Sequence, residues 1–422
     1  MKKVKEGYKM TEIGEIPSEW KVKKLGEITI GKGEYGIGAS ATEYIEGKPR
    51  YLRITDIGDS CRLLFNDIKG LDDADYEKYI LKEGDIVFAR TGNTTGKGYV
   101  YNREHGELVY AGFLIKYSID NNIAKHNFIK YVIQSKRYWD WVNIMSTRSG
   151  QPGINSNEYS SFIVQLPPLK EQEKIASILS TVDEQIDNVD ALIEKNKELK
   201  KGLMQTLLTK GIGHTKFKKS EVGEIPEEWE VMKLKEICNI KIGGTPSRNE
   251  LSYWDSEKKY KNKWISIKDL SNCNKYIYDT NEYITELGIH NSNVKMLEPK
   301  TVIMSFKLSI GKMAITTENM YTNEAIAGFT ELNDNVYYEY LYYIIPFLKY
   351  DIDIAVKGST LNKEKLNNTL IALPRYNEQI KISSILSELD EKIEEYEKKK
   401  QKLEVVKKGL MQQLLTGCIR VN

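Results

Sequence analysis

LPPLKEQEKIASILSTVDEQIDNVDALIEKNKELKKGLMQTLLTK, residues 166–210, and LPRYNEQIKISSILSELDEKIEEYEKKKQKLEVVKKGLMQQLLTG, residues 373–417, are two copies of one segment, identical at 23 of 45 positions. Prolines stand only at their start. Pro167-Pro168 and Pro374 precede the periodic part, where a missing amide hydrogen costs a helix little. With Ile175 as heptad position a, Val182, Val189, Asn196 and Leu203 follow at a, and Ile178, Gln185, Leu192, Leu199 and Thr206 fall at d. Leu179, Ile186, Ile193 and Leu207 at e widen the stripe. The second copy places Ile382, Leu389, Tyr396, Leu403 and Leu410 at a, with Ile385 and Val406 at d. Heptads this sustained predict two long helices, each about 40 residues and so roughly 60 Å long. Their apolar stripes must be buried, either between two chains or by one helix against the other. The order body, helix, body, helix favours the intramolecular, antiparallel pair. Asn196 would fix its register or sit solvated at its rim; Gly202 and Gly409 would mark a kink or a close helix contact.

A second repeat begins each half. TEIGEIPSEWKVKKLGEI at 11–28 and SEVGEIPEEWEVMKLKEI at 220–237 agree at 12 of 18 positions, with repeat offsets of 209 here and 207 in the helical segments. The chain is therefore an internal duplication. Between the anchors only echoes remain: RITDI at 53–57 against SIKDL at 266–270, and Gly96-Lys97 against Gly311-Lys312. A solenoid repeats throughout; one frame carrying two different readers repeats in this way.

The intervening bodies hold short runs rich in tyrosine, isoleucine and valine, such as GDIVFAR at 84–90, GYVYN at 98–102 and TVIMSF at 301–306, which read as strands between tight turns. Helices are expected around His126–Trp141 and Val336–Tyr350. The fold class is α/β (α+β), with two globular bodies, 1–165 and 213–372, separated by two long helices, 166–212 and 373–422, in an antiparallel coiled coil with a pseudo-twofold internal repeat.

The composition, 422 residues with 40% hydrophobic and 29% charged, fits two or three folded domains and excludes wholesale disorder. A net charge of +2 does not announce nucleic acid, although a neutral total can hide a basic face. Cys61, Cys238, Cys273 and Cys418 are scattered without a CxxC pair, which argues against a zinc site or a disulfide framework and for a reducing compartment. The opening MKKVKEGYKM has no apolar core behind its basic residues and is not a signal peptide. No apolar run approaches the roughly 18 residues of a membrane span, so a soluble, cytoplasmic protein is expected.

The segments GEIPxxWxxxxLxEI opening each unit, GDIVFARTGNTTGK at 84–97, GQPGINSNEYSSFIVQLPPLKEQEKI at 150–175, GGTPSRNELSYWDS…WISIKDL at 243–270, and the closing LMQTLL and LMQQLL resemble type I restriction specificity subunits over nearly the whole chain, in order and twice. The resemblance implies two target-recognition domains, each reading one half of a bipartite double-stranded DNA site. It implies that the helices set the spacer and dock methyltransferase (M) subunits, two in number, with motor-nuclease (R) subunits joining that core. It implies no catalysis, no cofactor and no metal in this chain, and no membrane partner.

The residues themselves offer little chemistry. TGNTTGKG at 91–98 misses the phosphate-loop spacing, because only three residues separate Gly92 from Gly96 and Gly98 follows Lys97. Leu166-Pro167-Pro168-Leu169 lacks the polar residue with which an amino-methyltransferase engages its target amine, and no proline is followed by aspartate, as the commonest nuclease metal motif requires. The rival classes are a single-chain methyltransferase or nuclease, which methyl-donor binding would reveal, and a coiled-coil scaffold indifferent to DNA.

For a DNA reader, lysine and arginine supply affinity at phosphates, and side chains at base edges supply discrimination. The loops beside the expected strands offer Arg53, Arg90, Thr91, Asn93, Lys97, Arg148 and Gln151 in the first body. The second offers Lys241, Thr245, Ser247, Arg248, Lys268, Lys307 and Lys312. Each is equally read as a solvated surface group. Tyr35, Tyr99, Trp254 and Trp264 are candidates to stack on DNA, although most tyrosines here are core residues.

Overall fold

The computed structural model describes residues 4–72, 75–147, 153–307, 309–351, 353–355 and 358–421, with backbone alone over 353–355 and 358–360. The chain forms two compact units, Met1–Asp190 with Lys398–Asn422, and Ala191–Glu397.

In the first unit a hairpin pairs Tyr8–Thr11 with Gly14–Pro17. The strand Lys21–Lys24 then pairs antiparallel with Ile163–Leu166, which feeds the first long helix. The main sheet has the order Thr29–Tyr35, Leu114–Ile119, Asp85–Ala89, Gly98–Val100. The second unit repeats the plan: the hairpin of Phe217–Ser220 with Gly223–Pro226, the pairing of Glu230–Lys233 with Leu370–Leu373, and a sheet ordered Asn239–Ile242, Ile326–Thr330, Val302–Ser305, Met313–Thr316, closed by Tyr276–Ile277. Each unit adds a parallel pair, Arg50–Leu52 with Leu108–Tyr110 and Lys263–Ile265 with Met320–Thr322. The mixture of antiparallel sheets, short parallel pairs and helices is the α+β class.

The central strands show why this sheet forms. In Asp85–Ala89 every residue is buried, and successive side chains must point to opposite faces. Ile86 and Phe88 enter one hydrophobic cluster with Phe128, Tyr138 and Leu179, whereas Val87 and Ala89 enter another with Leu52 and Leu108. Val302 and Met304 face one cluster and Ile303 another in the second unit. A strand covered on both sides reads as a continuous apolar run rather than an alternating one.

The helix expected around His126–Trp141 forms as two, His126–Val132 and Lys136–Ser146, because Ser135 caps the second through Tyr138 N at 3.3 Å. The other expected helix is Tyr338–Ile344, followed by a tight turn over Ile345–Phe347.

The first long helix spans Leu169–Lys210 and the second Tyr376–Leu414. Within the first unit Asp183 pairs with Lys407 at 2.7 Å and Asp190 with Lys400 at 2.6 Å; within the second, Lys197 pairs with Glu397 at 3.8 Å and Lys200 with Asp390. One number rises as the other falls, so the helices are antiparallel in both units. The seam differs from the expected columns. Ile175, Leu179, Ile186, Val189, Ile193 and Leu207 are buried, whereas Leu192 and Leu199, placed at d, are 38% and 50% exposed. In the second helix Ile382, Leu386, Leu389 and Leu414 are buried, and Ile385 and Val406 are exposed. Columns a and e recur at steps of four and three residues and so satisfy the same 3.5-residue period as a and d. Polar Gln185 and Thr206 in column d leave it on the solvent side. Asn196 donates to Leu192 O of its own helix at 2.7 Å and makes no bond across the seam. Both helices run uninterrupted through Gly202 and Gly409, and a side chain added at either would meet nothing within 4 Å, so neither glycine marks a close helix contact.

The duplicated anchors hold each body to its helix. Trp20 and Trp229 are fully buried and donate Nε1–H to Glu171 Oε2 at 3.0 Å and Glu378 Oε2 at 3.1 Å. Gln172 accepts from Lys125 N and donates to Pro167 O; Gln379 accepts from Tyr337 N and donates to Pro374 O, at 2.8–2.9 Å throughout. The conserved opening and closing segments of each repeat are thus two sides of one joint. Among the described residues no helix is long and apolar enough to cross a membrane.

Candidate nucleic-acid interface

In the first unit the polypeptide leaves the central strand at Ala89 through Arg90 and Thr91 and turns over Gly92–Thr94 before returning as Gly98–Val100. Arg90 lays its guanidinium over the Tyr35 ring at 4.9 Å, and the Tyr35 hydroxyl accepts from Ser156 N at 3.3 Å. Thr91 bridges to Gly153, and Asn93 stands exposed at the turn. Arg90, Thr91, Asn93 and half-exposed Tyr35 therefore form one rim at the end of the sheet: a planar cation over an aromatic ring, beside an exposed amide.

The turn behind this rim is rigid. Gly96 adopts φ +91°, a left-handed conformation that costs other residues energy. Tyr138 OH donates to Gly96 O at 2.7 Å, Gly96 N donates to Tyr159 OH at 3.1 Å, and Tyr159 OH donates to Ala89 O at 2.7 Å. Gly311 has φ +92° at the corresponding hairpin, where Gly311 N donates to Ser305 O as Gly96 N does to Ala89 O. The Gly-Lys echo is thus a shared hairpin turn between strands, not a strand-to-helix phosphate loop. The second echo is also structural: buried Asp56 accepts from Arg53 N, and buried Asp269 from Ser266 N, both at 2.8 Å.

The remaining candidates of this unit lie elsewhere. Arg53 is committed to Asp56 at 2.7 Å and to Asp67 at 3.1 Å. Lys97 pairs with Asp59 at 2.9 Å. Arg148 and Gln151 lie outside the described residues. Tyr99 is buried, its hydroxyl in contact with His105 Nδ1 at 2.6 Å, and is unavailable for stacking on DNA.

In the second unit the loop after strand Asn239–Ile242 gathers Thr245, Ser247 and Arg248. Arg248 stands 3.8 Å over the Trp254 ring and 5.0 Å from Trp264, and Glu282 holds its guanidinium, with Nη2 at 3.0 Å from Oε2. Trp254 Nε1 donates to Ser247 O and Trp264 Nε1 to Gly244 O, so the two indoles clamp the loop backbone as well. Trp264 is buried and, contrary to expectation, is a support rather than a stacking surface. Thr245 donates to Glu324, whose carboxyl is held below the usual range by that bond first, and then by nearby Lys307 and Arg248. Thr245, Arg248 and Lys307 thus share one acidic neighbour. Lys241 pairs with Glu331 at 3.4 Å. Lys268 is exposed on the helix Ile267–Asn272, and Lys312 donates to Ser271 of that helix, which groups those two lysines. Glu282 and Glu324 were not singled out from sequence; they lie 34 and 79 residues from their partners, and no local pattern announces them.

Two units that share a four-strand order and one helix joint, each with a different rim of cationic, amide or hydroxyl groups, make this a duplicated frame with two unlike faces. The chain belongs to the family described as type I restriction modification DNA specificity domain, whose model matches residues 17–199 and again 226–405. It is 29% identical over 99% of its length to a protein of Methanocaldococcus jannaschii named as the MjaX specificity subunit of a type I restriction enzyme, covering 97% of that relative. The MjaVIII specificity subunit from the same organism is 27% identical, over 96% of this chain and 94% of the relative. Among solved structures, the S subunit of a type I restriction-modification system from M. genitalium shares the fold, with a TM-score of 0.59 at 14% identity over 96% of this chain and 97% of that one.

Proposed function

We propose that this chain reads a bipartite, asymmetric double-stranded DNA target for a cytoplasmic restriction-modification complex and itself performs no chemistry. Residues 1–165 and 213–372 each read one half-site. The helices within 166–212 and 373–422 set the spacer and dock two methyltransferase subunits, to which motor-nuclease subunits add. The observation that carries this reading is the contrast between frame and rims. The order of four sheet strands and the Trp–Glu joints are the same in both units, while Arg90–Asn93 and Thr245–Arg248 occupy different loops with different chemistry.

Arg90, Asn93, Thr245 and Arg248 are assigned to base edges, since stacked arginines and exposed amides suit guanine and adenine edges. Lys268, Lys307 and Lys312 are assigned to phosphates, where position rather than fork geometry matters. Thr91, Ser247 and Lys241 belong to the same rims; Arg53 and Lys97 hold local turns and contribute charge; Arg148 and Gln151 are kept as candidates on their sequence position.

The test is competition binding of the complex assembled with methyltransferase subunits, using random-sequence and target DNA across a salt series. Target selectivity together with affinity that falls as salt rises is expected. Binding indifferent to sequence at every salt concentration would remove the reading in favour of a scaffold.

A further inference from the structure

A three-residue device recurs in both units, and each instance takes its cation from the other repeat. In the first unit Tyr131, on the helix His126–Val132, donates its hydroxyl to Asp183 Oδ2 at 2.9 Å, and Lys407 Nζ meets Asp183 Oδ1 at 2.7 Å. Lys407 also reaches Gln134 Oε1 at 2.9 Å and lies 5.7 Å from the Tyr131 ring centre. In the second unit Tyr343 donates to Asp390 Oδ2 at 2.6 Å, Lys200 pairs with Asp390, and Lys200 lies 5.6 Å from the Tyr343 ring centre. Asp183 and Asp390 are one position of the repeat, as are Lys200 and Lys407. Each unit therefore joins a tyrosine from a body, an aspartate from the helix that body feeds, and a lysine from the other long helix.

The lysines occupy column e, where the first helix otherwise takes leucine or isoleucine and the second also carries Lys400; Lys407 is 8% exposed. A buried ion pair is a poor source of stability, because desolvation offsets its attraction. Its best-attested use is to fix register: an apolar seam tolerates slippage, whereas a slipped Asp–Lys layer leaves both charges unpaired. The tyrosine brings the body into the same layer. Burial pushes both tyrosine hydroxyls well above their ordinary pKa, and the neighbouring carboxylate adds to this, so each remains a donor to its aspartate.

We infer that the Tyr131–Asp183–Lys407 and Tyr343–Asp390–Lys200 triads fix the setting of each body on the helix pair, and thereby determine which spacer length between half-sites the protein accepts. The inference rests on the bipartite reading proposed above. The triad members are positioning residues and touch no base. One base pair of spacer moves a half-site by about 3.4 Å along and about 35° around the duplex, so a body held in one setting discriminates sharply between neighbouring spacers.

The experiment measures binding by the assembled complex to DNA in which both half-sites are fixed and the spacer changes one base pair at a time. Tyr131→Phe and Tyr343→Phe each delete one hydroxyl. The double change Asp183→Leu with Lys407→Met replaces the ion pair by apolar groups, a kind of substitution that is often neutral or stabilising in other proteins, and it also removes the acceptor of the Tyr131 hydroxyl. Ile16→Val, in the same core but outside the triad, controls for lost stability. The wild type is expected to prefer one spacer by roughly tenfold or more, and the triad variants to reduce that preference to within about threefold with the base preference at each half-site unchanged; tenfold corresponds to about 1.4 kcal/mol. Ile16→Val keeps the sharp preference. Triad variants with wild-type spacer discrimination would overturn the inference. A wild type that recognises one unbroken motif would instead overturn the bipartite reading beneath it.

Discussion

Arg420, near the end of the chain, forks onto Glu171 with Nε at 2.7 Å from Oε1 and Nη2 at 2.9 Å from Oε2. Glu171 is buried and also accepts from Trp20, so the arginine neutralises a carboxylate that water cannot reach. His214 occupies the matching place beside Glu378, with Nε2 at 2.9 Å from Oε1, so in both units a side chain that follows the helix closes the joint. Arg420→Ala removes two hydrogen bonds from a buried carboxyl group and is expected to cost about 2 kcal/mol, with Arg420→Lys costing less. The urea midpoint of the full chain measures it.

Gly96 and Gly311 share a turn and a φ but not their surroundings. A Cβ at Gly96 would stand 2.5 Å from Val142 Cγ1, whereas one at Gly311 would meet nothing within 4 Å. Gly311→Ala should cost about 1–2 kcal/mol for the left-handed backbone alone. Gly96→Ala should cost about 1–3 kcal/mol more, because the core has no room for the methyl group. Equilibrium denaturation of the two variants checks the order.

Base-reading residues on separate units should act on separate half-sites. Arg90→Ala or Asn93→Ala is expected to relax one half-site by about 1–3 kcal/mol per base contact and leave the other intact; Arg248→Ala or Thr245→Ala does the converse. Lys268→Ala and Lys312→Ala weaken all sequences alike and each reduce the salt slope by about one. Binding to half-site variants over a salt series separates the two classes.

Glu339 supplies a pH dependence. Its burial opposes ionisation, yet hydrogen bonds from Lys275 at 2.8 Å and Tyr276 at 2.6 Å hold its carboxyl below the usual glutamate range. A carboxyl depressed in the folded state contributes stability that is complete above its unfolded pKa and disappears as the pH falls through the folded value. Stability should therefore decline below about pH 4.3, the unperturbed glutamate value, and Glu339→Gln should flatten that decline. Denaturation midpoints of both proteins across the acid range measure it.

The frame was legible in the sequence because it is duplicated: Trp20 and Trp229, Glu171 and Glu378, and the two helical segments announce themselves by repeating. The heptad columns are half legible, since a/d and a/e fit the same period and are separated by the polar residues of column d, Gln185 and Thr206 in the first helix and Lys392, Lys399 and Gln413 in the second. Lys200 and Lys407 carry a readable signal, an identical lysine in column e, which the first helix otherwise fills with leucine and isoleucine. The rims were harder. The Gly-Lys and RITDI/SIKDL echoes repeat because the turn at Gly96 and Gly311 and the backbone contacts of Asp56 and Asp269 repeat, so the echo alone does not point to a ligand. Asp56 holds Arg53 from only three residues away, but Asp67 and the strand residue Glu282, which hold Arg53 and Arg248, lie 14 and 34 residues from their partners and reach them only in the folded chain. Burial of Tyr99 and Trp264 follows from which sheet face each strand presents, which composition does not reveal.

The most direct test of two unlike readers on one frame is selection of bound sequences from random DNA by the assembled complex. The account predicts two different short motifs separated by unspecified bases, with centres about one helical turn, roughly 34–36 Å, apart. Recovery of a single uninterrupted motif, or of two identical inverted halves, would contradict it.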